Sequence, residues 1–169
     1  MSHSITVQRT VTTTHHEGTA FVVNTGVLTT GPGILKLLQL ACGIITVGIM
    51  GHHMANFVNS YEFRADMFFL LMAVFALITT FCVVLSMFLS IGTASILPRT
   101  FFEVVYHFIA FLLLCAASIT LIVKLTDHSV YRYRDRNYEP KLAAASIGLI
   151  NSLLYLCTFV MALRSWRLH

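Results

Sequence analysis

The segment that most constrains this chain is Glu103 to Val123, EVVYHFIAFLLLCAASITLIV. From Val104 onward it runs for 20 residues without a formal charge, about the ~20 that a helix needs to cross the ~30 Å hydrocarbon core of a bilayer. Its first turns nevertheless carry Glu103, Tyr106 and His107, and lipid tolerates such groups only when they find partners. Glu103 and His107 share one helix face, because they are four residues apart. A helix of this kind needs neighbouring helices.

Charged residues make up only 11% of the 169 residues, whereas hydrophobic residues make up 57%. A soluble domain usually carries about 25% charged residues, so this chain has too few charges to cover a surface in water. The sequence therefore predicts a polytopic membrane protein. The net charge of +4 comes from basic residues at helix ends and in one loop, which indicates contact with anionic headgroups and no nucleic-acid partner.

The apolar segments predict an all-α fold, an antiparallel four-helix transmembrane bundle. Its spans are predicted at about residues 34–54, 67–91, 104–123 and 142–163. Residues 1–30 are predicted to form a flexible N-terminal tail, and residues 31–167 the transmembrane domain. The triplet Gly31-Pro32-Gly33 is predicted to break the chain ahead of the first span.

Small residues in the first and fourth spans predict where helices pack closely in lipid. The positions are Gly43, Gly48 and Gly51 in the first span and Ala144, Gly148 and Ser152 in the fourth. The second set repeats at four-residue spacing, which is typical of helix-packing faces in membranes.

The first and third spans enter the bilayer from the same side and place Lys36 and Glu103 at similar depth. Gln39 and His107 lie about one turn deeper on the same two helices. The sequence predicts two stacked contacts, Lys36 with Glu103 and Gln39 with His107, because lipid offers no other hydrogen-bond partners. The alternative is that Lys36 extends to the headgroups and Glu103 is hydrated at the interface.

Two further polar features have more than one interpretation. Tyr106 and Asn151 are candidate interhelical contacts, and for Asn151 this is favoured over a pore lining because the second span offers few polar partners. The adjacent His52 and His53 point about 100° apart on a helix, which indicates interfacial histidines rather than ligands. The sequence predicts neither a metal nor a cofactor.

The longest polar connection, residues 124–141, alternates tyrosine and arginine, as interfacial segments do. The residues concerned are Tyr131, Arg132, Tyr133, Arg134 and Arg136. They form a candidate surface for another membrane, an anionic headgroup or a partner ectodomain, and a solvated loop without a specific partner is the alternative. Five basic residues on the side of the termini against six on the other side leave the orientation undecided.

Several short motifs together resemble one family. They are Gly33-Ile34-Leu35-Lys36-Leu37-Leu38-Gln39-Leu40, Glu103-Val104-Val105-Tyr106-His107, Ala116-Ala117-Ser118, Tyr131-Arg132-Tyr133, Leu153-Leu154-Tyr155 and Arg164-Ser165-Trp166-Arg167. From about Gly31 to Arg167 the chain resembles the MARVEL-domain proteins, in particular the MAL, plasmolipin and chemokine-like-factor branch. The resemblance implies cytoplasmic termini, two short outer connections, no catalytic residues, and roles in membrane apposition, raft-like lipid organisation and vesicle traffic. Lys36 departs from the pattern, so the resemblance implies no role for it.

These features together predict a non-enzymatic membrane organiser in membrane apposition or fusion, vesicle trafficking or cell-cell junction assembly. Its expected location is the plasma membrane or trafficking vesicles. The expected partners are the lipid bilayer, including sterol-rich or anionic lipids, other membrane proteins and a second copy of the chain. The alternative is a small channel or transporter, which would need polar side chains from at least three helices around one cavity.

Overall fold

The protein is a bundle of long helices. The computed structural model describes residues 30–56, 63–89, 100–127 and 138–167. Its helices are α1 (Gly31–Asn56), α2 (Phe63–Leu89), α3 (Phe101–Asp127) and α4 (Tyr138–Arg167). Apart from Thr30 and Thr100, every residue of the described ranges is α-helical. Each helix is long and apolar enough to cross a membrane, so the predicted all-α, four-span fold is confirmed.

The helices extend beyond the predicted spans. They contain 26 to 30 residues, which at 1.5 Å per residue is about 39–45 Å. This matches the ~40–45 Å thickness of a bilayer with its headgroups. The predicted spans ended with the apolar runs, but a backbone in a membrane continues to satisfy its own hydrogen bonds through the polar flanks. Residues 90 and 91 of the second predicted span lie outside the described residues.

Helix α1 begins earlier than expected, so the prediction that Gly31-Pro32-Gly33 breaks the chain was wrong. The Gly33 N–H donates to Thr30 Oγ1 at 3.3 Å, and the Ile34 N–H donates to the Thr30 carbonyl at 2.9 Å. Thr30 is therefore the N-cap of the helix. Pro32 is accommodated in the first turn because an N–H there would have no acceptor within the helix.

The four helices form a ring. α1 and α3 each pack against both α2 and α4, so α1 faces α3, and α2 faces α4, across the centre. Lys36 and Glu103 meet near the starts of α1 and α3, so these two helices are parallel. Gln39, early in α1, reaches Thr158, late in α4, and Thr80, in the second half of α2, reaches Tyr106, early in α3. Neighbouring helices are therefore antiparallel. We call the end with the starts of α1 and α3 the terminal end, and the opposite end the loop end.

Many of the buried residues are small, a few large ones such as Phe69 and Leu114 are buried with them, and most large apolar side chains face outward. The buried small residues include Ala73, Ala76, Ala110, Ala117, Ala144 and Ala145. The exposed large residues include Ile44, Leu71, Ile78, Phe81, Phe102 and Leu112. Small residues let helices approach closely in lipid, and an outer surface this apolar would drive aggregation in water. The distribution is that of a protein surrounded by lipid.

The predicted small-residue positions separate into two groups. Gly148 lies at the centre of the bundle, where an added Cβ would be 2.8 Å from the Phe69 ring of α2 and 2.9 Å from Ser118 Oγ of α3. Its companions Ala144 and Ser152 are fully buried. The small residues of α4 therefore make room for side chains that cross from other helices.

Of the three positions predicted on α1, Gly43 lies at a helix contact, where an added Cβ would be 3.1 Å from Leu77 of α2. For Gly48 and Gly51 the prediction of close packing was wrong within this chain, because no described atom lies within 4 Å of a Cβ added at either position. The face of α1 that carries Gly48 is exposed, since the neighbouring helices pack on its other sides.

Two glycine-to-alanine substitutions test this packing. Gly148→Ala forces a methyl group onto Phe69 and Ser118, so we expect it to destabilise the bundle by about 1–3 kcal/mol. Gly48→Ala adds the same group in open space and should change stability by no more than ~1 kcal/mol. Thermal unfolding of both variants in one detergent checks this, and an equal effect of the two substitutions would contradict the packing at Gly148.

Candidate functional site

The main polar feature of the interior is an ion pair across the centre of the bundle. Lys36 Nζ of α1 donates to Glu103 Oε1 of α3, and the two residues are 1% and 3% exposed. The structure thus brings together the two residues that the sequence paired, and Lys36 points inward rather than to the headgroups. Because a charge of either sign is costly when buried alone, each makes the burial of the other tolerable.

The second predicted contact, Gln39 with His107, is not formed, and that prediction was wrong. Gln39 Nε2 instead donates to Thr158 Oγ1 of α4 at 2.8 Å. His107 Nδ1 donates to the Glu103 carbonyl of its own helix at 2.8 Å. The reason is the ring arrangement, in which α1 packs beside α4 and faces α3 across the centre. The nearer acceptor for Gln39 is therefore on α4.

Asn151 contributes to the same α1–α4 boundary. Its Nδ2 donates to the Gln39 carbonyl at 3.4 Å, and the residue is buried. The structure therefore places Asn151 between helices, in a contact that joins α4 to α1.

A chain of hydrogen-bonded hydroxyl groups joins α2, α3 and α4. Thr80 Oγ1 of α2 lies 2.5 Å from Tyr106 Oη of α3 and 2.5 Å from Tyr155 Oη of α4. Tyr155 Oη donates to the Ala76 carbonyl at 3.1 Å, so it must accept the proton of Thr80, and Thr80 in turn accepts from Tyr106. Bonds ordered in one direction in this way polarise and strengthen each other.

Aromatic rings surround this hydroxyl chain. The ring of Tyr106 lies 6.2 Å from that of Tyr155 in an edge-to-face arrangement, and His107 lies 4.7 Å from Tyr106 and 6.0 Å from Tyr155, measured between centroids. Edge-to-face pairs at these separations are favourable beyond the area that they bury. The two tyrosines and His107 therefore form a compact group next to the ion pair.

The sequence did not indicate Thr80, Tyr155 or Thr158 as site residues. A threonine inside a membrane helix usually bonds to its own backbone, as the Thr158 hydroxyl does to the Leu154 carbonyl at 2.9 Å. The available signal for Tyr155 was a polar ring in the middle of an apolar span. Which helix it would face depends on the packing of the four helices.

A second ion pair lies at the loop end, between Lys141 Nζ of α4 and Asp66 Oδ2 of α2 at 3.0 Å. It crosses the other diagonal of the ring. His52 and His53 lie at the same end with their rings 5.7 Å apart, and within the described ranges no group of three or more His, Cys, Asp or Glu could hold a metal ion. The candidate loop residues Tyr131, Arg132, Tyr133, Arg134 and Arg136 lie outside the described residues.

These contacts indicate what the polar interior does. Side chains from all four helices converge on the centre, but they bond to one another, and Lys36 and Tyr155 occupy the centre with at most 1% exposure. The arrangement holds both diagonals of the ring together. Its chemistry is that of structural ion pairs and hydrogen bonds in lipid.

Comparison with known proteins identifies one family. The model of the MARVEL domain, described as a membrane-associating domain, matches residues 27–161. The matched range includes all of α1, α2 and α3 and most of α4. No curated protein and no solved structure matches the chain.

The central ion pair can be tested by removing one partner and then both. Glu103→Leu leaves the Lys36 ammonium buried without its partner and should cost about 3–5 kcal/mol of stability. The double variant Lys36→Met/Glu103→Leu removes both charges and should recover most of that loss. Unfolding in detergent measures both, with Lys124→Met at an exposed position as the charge-removal control, expected within ~0.5 kcal/mol of the wild type. An equal loss of stability in the single and double variants would contradict a stabilising interaction between Lys36 and Glu103.

The hydroxyl chain predicts unequal effects for the two tyrosines. Tyr155→Phe removes the bond to Thr80 and the bond to the Ala76 carbonyl, so a loss approaching ~1.7 kcal/mol is expected, the upper value for such bonds in membranes. Tyr106→Phe removes one bond at the end of the chain and should cost ~0.6 kcal/mol. The same unfolding measurement ranks them, and a larger loss in Tyr106→Phe would contradict the proton order given above.

Proposed function

The chain belongs to the MARVEL family of membrane-associating proteins, and from this we propose that it is a non-enzymatic membrane organiser acting in membrane apposition or fusion, vesicle trafficking or cell-cell junction assembly. The observation that carries the proposal is the pairing of the buried polar groups with one another. Lys36 pairs with Glu103, and Thr80 bonds to two tyrosines. The outer surface of the helices is left for lipid and for other membrane proteins.

The proposal places the protein at the plasma membrane or on trafficking vesicles, with both termini in the cytoplasm. Exposed Arg164, Trp166 and Arg167 at the terminal end support an anchor at the headgroup level, and the Trp166 ring packs 5.5 Å from Phe101. The motif Glu103 to His107 supports assignment to the MAL, plasmolipin and chemokine-like-factor branch. Sterol-rich or anionic lipids and a second copy of the chain are the partners that we propose.

The contact surface that we propose is the tyrosine- and arginine-rich connection between α3 and α4. Helix α3 ends and α4 begins at the loop end of the bundle, opposite the ends that carry Gly31 and Arg167. Arg132, Arg134 and Arg136 give this connection positive charge, which suits anionic headgroups or an acidic surface on an apposed membrane.

Replacing the three arginines tests this surface. Cells that lack the protein would be supplied with tagged wild-type chain, with Arg132→Ala/Arg134→Ala/Arg136→Ala, or with the control Arg164→Ala/Arg167→Ala at the terminal end. We expect the wild type and the control to collect at contact sites or on vesicles and to restore delivery of membrane cargo, and the triple variant to reach the membrane without doing so. Equal rescue by the triple variant would remove the loop from the proposal.

A flux measurement separates an organiser from a channel or transporter, because the polar side chains of all four helices do meet in the interior. Purified wild-type protein in proteoliposomes should show the same ion leakage as vesicles without protein. Ion flux that depends on the protein and is lost in Tyr155→Phe would contradict the organiser function and favour a channel or transporter.

A further inference from the structure

Four buried polar atoms, between the terminal end and the middle of the bundle, have no hydrogen-bond partner among the described residues. They are Gln39 Oε1, Glu103 Oε2, His107 Nε2 and Asn151 Oδ1. Their residues are at most 3% exposed. Leaving a buried polar group unsatisfied costs about 1–3 kcal/mol, and folded proteins keep few of them. Four such atoms in one bundle indicate that a further group bonds to them.

All four atoms are acceptors. The Thr158 hydroxyl donates to the Leu154 carbonyl, so it needs a donor from Gln39, and this fixes the Gln39 amide with Nε2 toward Thr158 and Oε1 away from it. The orientation of the Asn151 amide is fixed as well, because the Gln39 carbonyl can only accept and must therefore face Asn151 Nδ2. Asn151 Oδ1 is then the atom without a partner. His107 Nδ1 must carry a proton to donate to a carbonyl, which leaves Nε2 of the neutral ring as an acceptor.

The four acceptors belong to one region. Glu103 lies against Lys36, and Gln39 and His107 are each about one helical turn deeper than this pair. Asn151 contacts the backbone of Gln39 from α4. The region is thus bounded by α1, α3 and α4. It also contains the Lys36 ammonium, whose bond to Glu103 uses one of its three N–H donors.

We propose that this region is a binding site for a small cluster of buried water molecules. The ligand must donate hydrogen bonds, which excludes an acyl chain and disfavours an anion beside four acceptors. A metal cation is disfavoured by the adjacent Lys36 ammonium. Water donates two bonds and accepts others, and buried water typically makes about three bonds to groups that the chain leaves unsatisfied. Such water hydrates the ion pair and offsets part of the cost of burying it.

The site does not depend on the proposed function, and it can be observed in the wild-type protein. The full chain, isotopically labelled in lipid bilayers, would be studied by solid-state NMR transfer of magnetisation from water protons. Transfer is expected at the shortest mixing times for the side chains of Gln39, His107 and Asn151. The matched control is the Ala110 methyl group, which is 1% exposed and lies one turn deeper than His107 on α3, and its signal should build up slowly.

Two further readouts make the assignment specific. The 15N shifts of His107 should report a neutral ring protonated at Nδ1, with Nε2 accepting a hydrogen bond. In Gln39→Met, which removes one acceptor, the early transfer at His107 and Asn151 should be lost or strongly reduced. Transfer at all three wild-type side chains as slow as at Ala110, or unchanged early transfer at His107 in Gln39→Met, would overturn the proposal.

Discussion

A lipid environment leaves a polar side chain only protein groups and trapped water as partners, and the contact between Lys36 and Glu103 follows from this constraint. The pair joins α1 to α3 across the centre of the ring and sets the two helices at the same depth. Gln39 and His107 lie about one turn deeper on the same two helices and are buried. A buried pair of this kind adds little net stability compared with apolar packing, whereas removal of one partner is strongly destabilising.

The other diagonal depends on long side chains crossing a narrow interior. Tyr155 reaches the Ala76 carbonyl and Thr80 from α4, and Lys141 reaches Asp66 at the loop end. Small buried residues on the facing helices leave room for these contacts. Gly148 gives the clearest case, since the space that a Cβ would occupy is taken by Phe69 and Ser118. Small residues on one helix therefore allow large or polar residues on the opposite helix to reach the centre.

This arrangement separates a polar interior from an apolar outer surface. The interior groups that the structure describes bond mainly to one another, and the outward faces of the helices are apolar. Contact with lipid is then made by the outward faces of the helices. A membrane-associating family is consistent with such a division between a polar interior and a lipid-facing exterior.

The sequence by itself determined the four helices and the membrane environment, because the length of an apolar run is a local property. It offered the pairing of Lys36 with Glu103 beside an alternative in which Lys36 extends to the headgroups, and the structure decided for the buried pair. Only the tertiary structure decided the partners that depend on the helix order around the ring. That order sends Gln39 to Thr158 instead of His107 and brings Thr80 between two tyrosines. It also turns Gly48 outward and Gly148 inward. Residue spacing defines the face of a helix, but which neighbour covers that face is set by the packing of the whole bundle.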